Sequence, residues 1–144
     1  MSSLTTLLEQ PREAVVTDLA ALAEHTIDQQ SGISGAALKT AVNGAKKVNS
    51  DIIVKACNRM LPEFVEKLDP QWQQFTASGE EDFGIFLSRN AEAVVSDILD
   101  VLDRNVEKVN VSALKKVYGS MRGKAEKLIT PHIPAIGAVL QKHM

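Results

Sequence analysis

Residues 13–19 read Glu-Ala-Val-Val-Thr-Asp-Leu and residues 92–98 read Glu-Ala-Val-Val-Ser-Asp-Ile, so one 144-residue chain contains nearly the same stretch twice. In both stretches the apolar residues recur at the three- and four-residue spacing of an amphipathic helix. Two shorter matches follow in the same order: residues 37–39 with 113–115, and residues 61–68 with 133–140. Because the three matches are collinear, the sequence predicts a duplicated helical unit.

Helical spacing of apolar residues continues along nearly the whole chain, and alternating runs typical of strands are missing. We therefore predict an all-α protein. It is a single compact domain over residues 1–144, a bundle of about six main helices in two pseudo-symmetric three-helix repeats at about 3–68 and 82–140. The predicted helices span 4–30, 35–47 and 51–68 in the first repeat, and 83–109, 113–122 and 124–142 in the second.

Prolines are expected to shape these helices, since proline lacks the amide hydrogen that an α-helix needs. Pro11 should break or kink the first helix, and its counterpart Asn90 should do so less. Pro62 and Pro134 occupy equivalent places, so we expect a bend or restart of the third helix in both repeats. Residues 69–81 should form a short linker helix, in which Asp69 is the cap and proline the first helical residue.

The linker region is rich in aromatic residues. Aromatic side chains bury a large apolar area and are usually core residues. We expect this cluster to wedge the two halves together; the alternative is a partner-binding patch centred on Trp72. The cluster comprises Phe64, Trp72, Phe75, Phe83 and Phe86.

The composition, with 44% hydrophobic and 24% charged residues, is that of a folded globular protein and excludes a disordered chain. The longest apolar runs are far shorter than the roughly 18–20 residues of a membrane-spanning helix. The first residues lack the basic and apolar blocks of a secretory signal. Since the lone Cys57 has no disulfide partner in the chain, we expect a reducing cytoplasm.

Charge is unevenly distributed although the formal net charge is only −2. Residues 63–107 contain eleven acids and three bases, whereas residues 112–144 contain six bases and one acid. Such segregation indicates either pairing between packed helices, which we favour, or a charged face for a partner. Glu13 and Asp18 recur as Glu92 and Asp97, and we expect each Asp to flank the apolar stripe and bond the end of a neighbouring helix.

Four short stretches carry a resemblance to a known family: residues 34–39 (Ser-Gly-Ala-Ala-Leu-Lys), residues 61–66 (Leu-Pro-Glu-Phe-Val-Glu), the Ser-Gly turn at 78–79 leading to Asp-Phe-Gly at 82–84, and the Lys-His pair at 142–143. In these stretches the chain resembles a family of small uncharacterised proteins from actinobacteria. The resemblance covers nearly the whole chain. It implies a cytoplasmic bacterial protein of unassigned function and carries no catalytic residue across.

Signatures of catalysis, metals or cofactors do not emerge from the sequence. His25, His132 and His143 form neither an i, i+4 pair with one another nor a hook with Cys57. A phosphate-binding loop is missing, and the basic, glycine-punctuated segment 119–124 is either a helix–helix turn or a weak phosphate site. We therefore predict no catalytic residue, metal or cofactor, and treat an enzyme as the third possibility after two kinds of binding protein.

The leading hypothesis is a non-enzymatic helical protein that acts through protein–protein interaction. The sequence names no particular partner, and a second copy of the chain, giving a homodimer, is one candidate. We do not expect nucleic acid to be the partner, because the chain as a whole is acidic. The candidate interaction patch is Lys115, Lys116, Arg122, Lys124 and Trp72.

The alternative hypothesis is a carrier or sensor of a small apolar ligand, because helical bundles can hold ligands between their helices and Met adapts to irregular shapes. The ligand would lie in a cavity between the two repeats. The candidate lining residues are Met60, Phe64, Phe83, Phe86 and Met121.

Overall fold

A computed structural model of the protein describes residues 3–9, 11–108 and 112–144, apart from the side chain of Ser34. These residues form eight α-helices, and the predicted all-α class is confirmed. The helices are α1 (Arg12–Gln29), α2 (Gly32–Val48), α3 (Ile52–Ser78), α4 (Phe83–Arg89), α5 (Ala91–Val106), α6 (Ser112–Met121), α7 (Ala125–Ile129) and α8 (Ile133–Lys142). Short 3₁₀ segments occupy Leu4–Leu8, Arg122–Lys124 and Thr130–His132. Residues 10 and 109, which belong to predicted helices, lie outside the described residues.

The two predicted repeats start alike. In the first, the 3₁₀ helix Leu4–Leu8 ends before Pro11 and α1 follows; in the second, α4 ends at Asn90 and α5 follows at once. The side chain of Ser3 accepts a hydrogen bond from the Thr5 amide, and that of Asp82 accepts one from the Ile85 amide. A side chain therefore caps the first helical turn at the start of each predicted repeat.

Helix α3 differs from the prediction, because it runs through both Pro62 and Pro70 to Ser78 without a separate linker helix. Asp69 does not cap a new helix at Pro70. Its carboxylate instead accepts hydrogen bonds from the Ser3 hydroxyl at 2.9 Å and the Leu4 amide at 2.8 Å. The predicted cap residue thus serves the start of the first 3₁₀ helix, 65 residues away in the chain.

Pro62 also leaves α3 unbroken, and a side chain from α1 helps to explain why. A proline at this position provides no amide hydrogen for the carbonyl group of Asn58, four residues earlier. The Arg12 guanidinium donates to that carbonyl oxygen at 2.9 Å and to the Asn58 side-chain oxygen at 2.8 Å. At the equivalent Pro134 the predicted restart is confirmed, since α8 begins there after a 3₁₀ turn.

Some of the contacts between helices follow an exchange pattern. Helix α3 packs against the 3₁₀ helix Leu4–Leu8, α1 and α5, while α8 packs against α4 and α1, and α2 packs against α6. In the predicted repeats α1 corresponds to α5, α2 to α6 and α3 to α8. Exchanging the two repeats therefore turns the α3–α5 contact into the α8–α1 contact and turns the α2–α6 contact into itself. A pseudo-twofold duplication predicts these pairs, but it also predicts an α5–α8 contact to match α1–α3, and the described residues show none of comparable extent. The repeats therefore remain a prediction.

The α4–α8 contact is close because two glycines face each other. A Cβ atom on Gly137 would lie 2.7 Å from the Gly84 amide nitrogen, which is shorter than side chains tolerate. This crossing places Phe83 in the core, where its ring meets Trp72 edge-on with centroids 4.9 Å apart. The cluster of Trp72, Phe75, Phe83 and Phe86 therefore joins the end of α3 to α4.

Ion pairs between helices account for part of the uneven charge. Asp100 pairs with Lys67 at 3.2 Å, and Asp103 pairs with Arg122 at 3.0 Å. Asp18 of α1 meets the end of α8, as predicted: it accepts from Lys142 at 3.3 Å and lies 2.6 Å from the His143 Nε2 atom. The same prediction is wrong for Asp97, which bonds no helix end within the described residues. Acids of the middle segment thus pair partly with bases inside the same molecule.

Candidate ligand cavity

Two adjoining apolar cavities lie between the helices. The larger has a volume of about 360 Å³ and the smaller about 320 Å³. Both are bordered by α1, α2, α3, α5, α6 and α7, and α8 adds to the wall of the smaller one. An engineered apolar cavity of about 150 Å³ already holds benzene, so each cavity has room for a larger guest.

The two cavities share one wall. The shared residues are all apolar, and each is only partly buried although it lies between helices, because part of its surface borders the open space. They come from both predicted repeats. The shared set is Ile27, Leu38, Met60, Leu102, Met121, Leu128 and Ile129.

Three of the five residues that the sequence placed at a cavity do line one. Met60 and Met121 border both cavities, and Phe64 borders the smaller. Phe83 is fully buried in the aromatic cluster at the end of α3, and Phe86 packs against Phe75 in the same cluster. The α4–α8 glycine contact explains this difference, because it holds α4 against α8 and α3.

Asn105 is a lining residue of the larger cavity that sequence reasoning missed. Its side chain is 6% exposed, and it is the only buried polar or charged residue in the described part of the chain. The Nδ2 atom donates to the Glu63 Oε2 atom at 2.6 Å and to the Val101 carbonyl oxygen at 2.7 Å. A signal was available, since Asn105 continues the apolar stripe of α5 four residues after Val101 and seven after Ile98.

The Asn105 Oδ1 atom is buried, and no described residue donates a hydrogen bond to it. Exchanging the oxygen and nitrogen of this amide would place the oxygen against two acceptors, the Val101 carbonyl and the Glu63 carboxylate. The hydrogen-bond network therefore fixes the orientation of the side chain. Since buried polar groups nearly always have a partner, this oxygen is an unusual feature of the wall.

Hydrogen bonds link α6 and the 3₁₀ turn that follows it to α5, beside the larger cavity. The Tyr118 hydroxyl and the Arg122 guanidinium both donate to the Asp103 carboxylate, and these hydrogen bonds lower the pKa of Asp103. Burial and the bond to Asp103 raise the pKa of Tyr118, so its hydroxyl stays protonated at neutral pH. Tyr118 and Arg122 also line the larger cavity.

Cys57 lines the smaller cavity. Burial is the main cause that raises the pKa of its thiol to about 11, and the nearby charge of Glu24 adds to the effect. The thiol is therefore protonated at physiological pH, and a protonated thiol is a poor nucleophile. Cys57 contributes apolar wall surface.

The five residues predicted as an interaction patch do not lie together on the surface. Lys115, Lys116 and Lys124 are exposed, Arg122 is paired with Asp103, and Trp72 is 6% exposed within the aromatic cluster. The segment 119–124 forms the end of α6 and a 3₁₀ turn, as expected for a helix–helix connection.

Within residues 3–9, 11–108 and 112–144, no three His, Cys, Asp or Glu side chains come close enough together to hold a metal ion. None of the helices described combines the length and the apolar character needed to cross a membrane.

Fold and cavity together define the class of this molecule: an all-α bundle with an apolar interior space. The chain belongs to the DUF6918 family, a family of unknown function, whose model matches residues 4–144. The prediction that the chain belongs to an uncharacterised family is therefore confirmed, while the actinobacterial source stays a prediction. No curated protein and no solved structure gave a significant match to the chain.

Proposed function

We propose that this protein binds a small apolar molecule in the two adjoining cavities and acts as a carrier or sensor of it. The observation that carries the proposal is the shared apolar wall, which includes Met60 and Met121. Ligand pockets of proteins commonly measure about 300–1,000 Å³ and are lined mainly by apolar side chains with a few placed polar groups. The two cavities, at about 360 and 320 Å³, match this description.

The burial of the wall residues supports the proposal as well. A duplicated bundle that packed its interior fully would leave no space at the contact of its halves, since protein cores are close-packed. Here the apolar side chains at that contact are half-buried, whereas the core residues Leu61, Val65 and Val94 are 0% exposed. The apolar open space thus borders residues of both predicted repeats.

The test is fluorescence titration with N-phenylnaphthylamine, a neutral apolar dye. We expect saturable binding to the wild type. The double variant Ala23→Phe, Ala56→Phe places one aromatic ring in each cavity, because Ala23 lines the smaller and Ala56 the larger. It should weaken dye binding by about tenfold or more, which corresponds to about 1.4 kcal/mol or more.

The matched control is the double variant Ala77→Phe, Ala93→Phe, which makes the same substitutions at two exposed helical positions. It should bind the dye as the wild type does. Thermal unfolding of each protein checks that the variants are folded. Equal dye binding by the cavity-filling and control variants would show that the dye binds elsewhere and would refute the proposal.

A second candidate function is surface recognition of an acidic protein partner. The observation that favours it is that Lys115, Lys116 and Lys124 are exposed and form no ion pair within the described part of the chain. The triple alanine variant should lose a partner that the wild type retains in affinity purification. If both proteins retain the same partners, this candidate is wrong.

We also propose a cytoplasmic location in an actinobacterial cell. The sequence resemblance supports the source, and the lone Cys57, which has no disulfide partner in the chain, supports a reducing compartment. Immunoblotting of separated cell fractions would test the location.

A further inference from the structure

Asn105 is the starting point for the chemical class of the ligand. Its side chain forms part of the wall of the larger cavity and is almost completely buried there. The Nδ2 atom is held by Glu63 and by the Val101 carbonyl, while the buried Oδ1 atom receives no hydrogen bond from the described residues. A buried acceptor without a donor is unfavourable, so a guest that supplies the donor gains a specific interaction there.

We propose that the ligand is an apolar molecule with a hydroxyl group, and that this hydroxyl donates to the Asn105 Oδ1 atom while the apolar part fills the cavities. This inference rests on the proposed function. Asn105 lies on the same wall as Leu102 and Val106, and Leu102 borders both cavities. A chain anchored at Asn105 can therefore extend along the shared wall toward the smaller cavity.

Charged anchors fit this place less well than a hydroxyl. An ionised carboxylate has no proton to donate, and it would be repelled by the Glu63 carboxylate, which accepts a hydrogen bond from Asn105. An ammonium group supplies donors, but its transfer from water into an apolar cavity is far more costly than that of a neutral hydroxyl. A neutral donor is thus the complement of this wall.

The experiment compares two isomers, dodecanol and undecyl methyl ether, as competitors of N-phenylnaphthylamine. They contain the same atoms, but only the alcohol donates a hydrogen bond. For the wild type we expect a dissociation constant about tenfold lower for dodecanol, which corresponds to about 1.4 kcal/mol. For Asn105→Leu we expect the two isomers to bind equally.

The control variant Asn43→Leu makes the same substitution at an exposed position of α2 and should keep the preference for the alcohol. Equal displacement of the dye by both isomers from the wild type would overturn the hydroxyl inference and leave the proposed function standing. Displacement by neither would overturn both. A preference for the alcohol that persists in Asn105→Leu would overturn the role of Asn105. The comparison of the two isomers on the wild type tests the hydroxyl inference even if Asn105→Leu does not fold.

Discussion

Gly84 and Gly137 set the distance between α4 and α8. Replacing a glycine at this contact by alanine tests whether the close approach stabilises the protein. At Gly137 an added Cβ would lie 2.7 Å from the Gly84 nitrogen, so the helices must move apart. We expect Gly137→Ala to lower the free energy of unfolding by about 1–3 kcal/mol, the usual cost of overpacking.

Gly44 is the matched control within α2, because an added Cβ meets nothing within 4 Å. Gly44→Ala should raise the free energy of unfolding by roughly 0.5–1 kcal/mol, since alanine is the better helix former. Urea denaturation measures both variants. Equal effects at the two positions would contradict the close α4–α8 crossing.

Asp18 and Asp97 match in the sequence repeat but should respond to pH in opposite ways. Hydrogen bonds from His143 and then Lys142 lower the pKa of Asp18 below its ordinary 3.8. Burial raises the pKa of Asp97 above 3.8, and the charge of Lys67 only partly offsets this.

A lowered pKa in the folded state stabilises the protein above the unfolded pKa, and this contribution is lost as the pH falls through the folded pKa. Asp18→Asn should therefore be less stable than the wild type at neutral pH, with the difference vanishing below 3.8. A raised pKa has the opposite sign, so Asp97→Asn should be more stable than the wild type at neutral pH, with the gain fading as the pH falls to 3.8. Urea denaturation across this range measures both; changes of the same sign would contradict the assigned environments.

At the scale of the elements, the continuity of α3 depends on the contact between Arg12 and the Asn58 carbonyl. In a Pro62→Ala variant the new amide can bond that carbonyl within the helix, so Arg12 becomes less important. We expect Arg12→Met to cost about 0.5–1.5 kcal/mol in the wild type and less in the Pro62→Ala background. A double-mutant cycle by urea denaturation measures the coupling, and strictly additive effects would show that the contact does not support α3.

The same element shows what sequence reasoning can and cannot reach. Apolar spacing and the Gly79 turn, which has a φ of 77°, mark helix ends to within a few residues. The continuity of α3 was missed because its causes are distant in the chain: Arg12 relieves Pro62, and Asp69 bonds Leu4 instead of starting a helix. Such long-range hydrogen bonds leave no local pattern.

Only part of the candidate site could be predicted from the sequence. Two Met residues and Phe64 were placed correctly because they lie on apolar faces near the contact of the halves. Phe83 was misplaced, since the glycine contact that turns α4 into the aromatic cluster is a property of the packed molecule. Asn105 was missed because a polar residue in an apolar stripe acquires meaning only when its partners are known.

At the scale of the whole molecule, residues from both predicted repeats line the shared wall of the cavities, while the aromatic cluster packs the far end of α3 tightly. A tightly packed end and an open middle are thus built from the same helices. The four rings of the aromatic cluster do not line the cavities, so the proposed guest would not contact them.

The most direct test of that role is a methionine methyl NMR titration with dodecanol. Met60 and Met121 line both cavities, whereas Met144 at the chain end lines neither. We expect the methyl resonances of Met60 and Met121 to shift together and saturably, while that of Met144 stays in place. Unchanged Met60 and Met121 resonances at saturating dodecanol, or equal shifts at all three residues, would contradict the binding of an apolar molecule inside this protein.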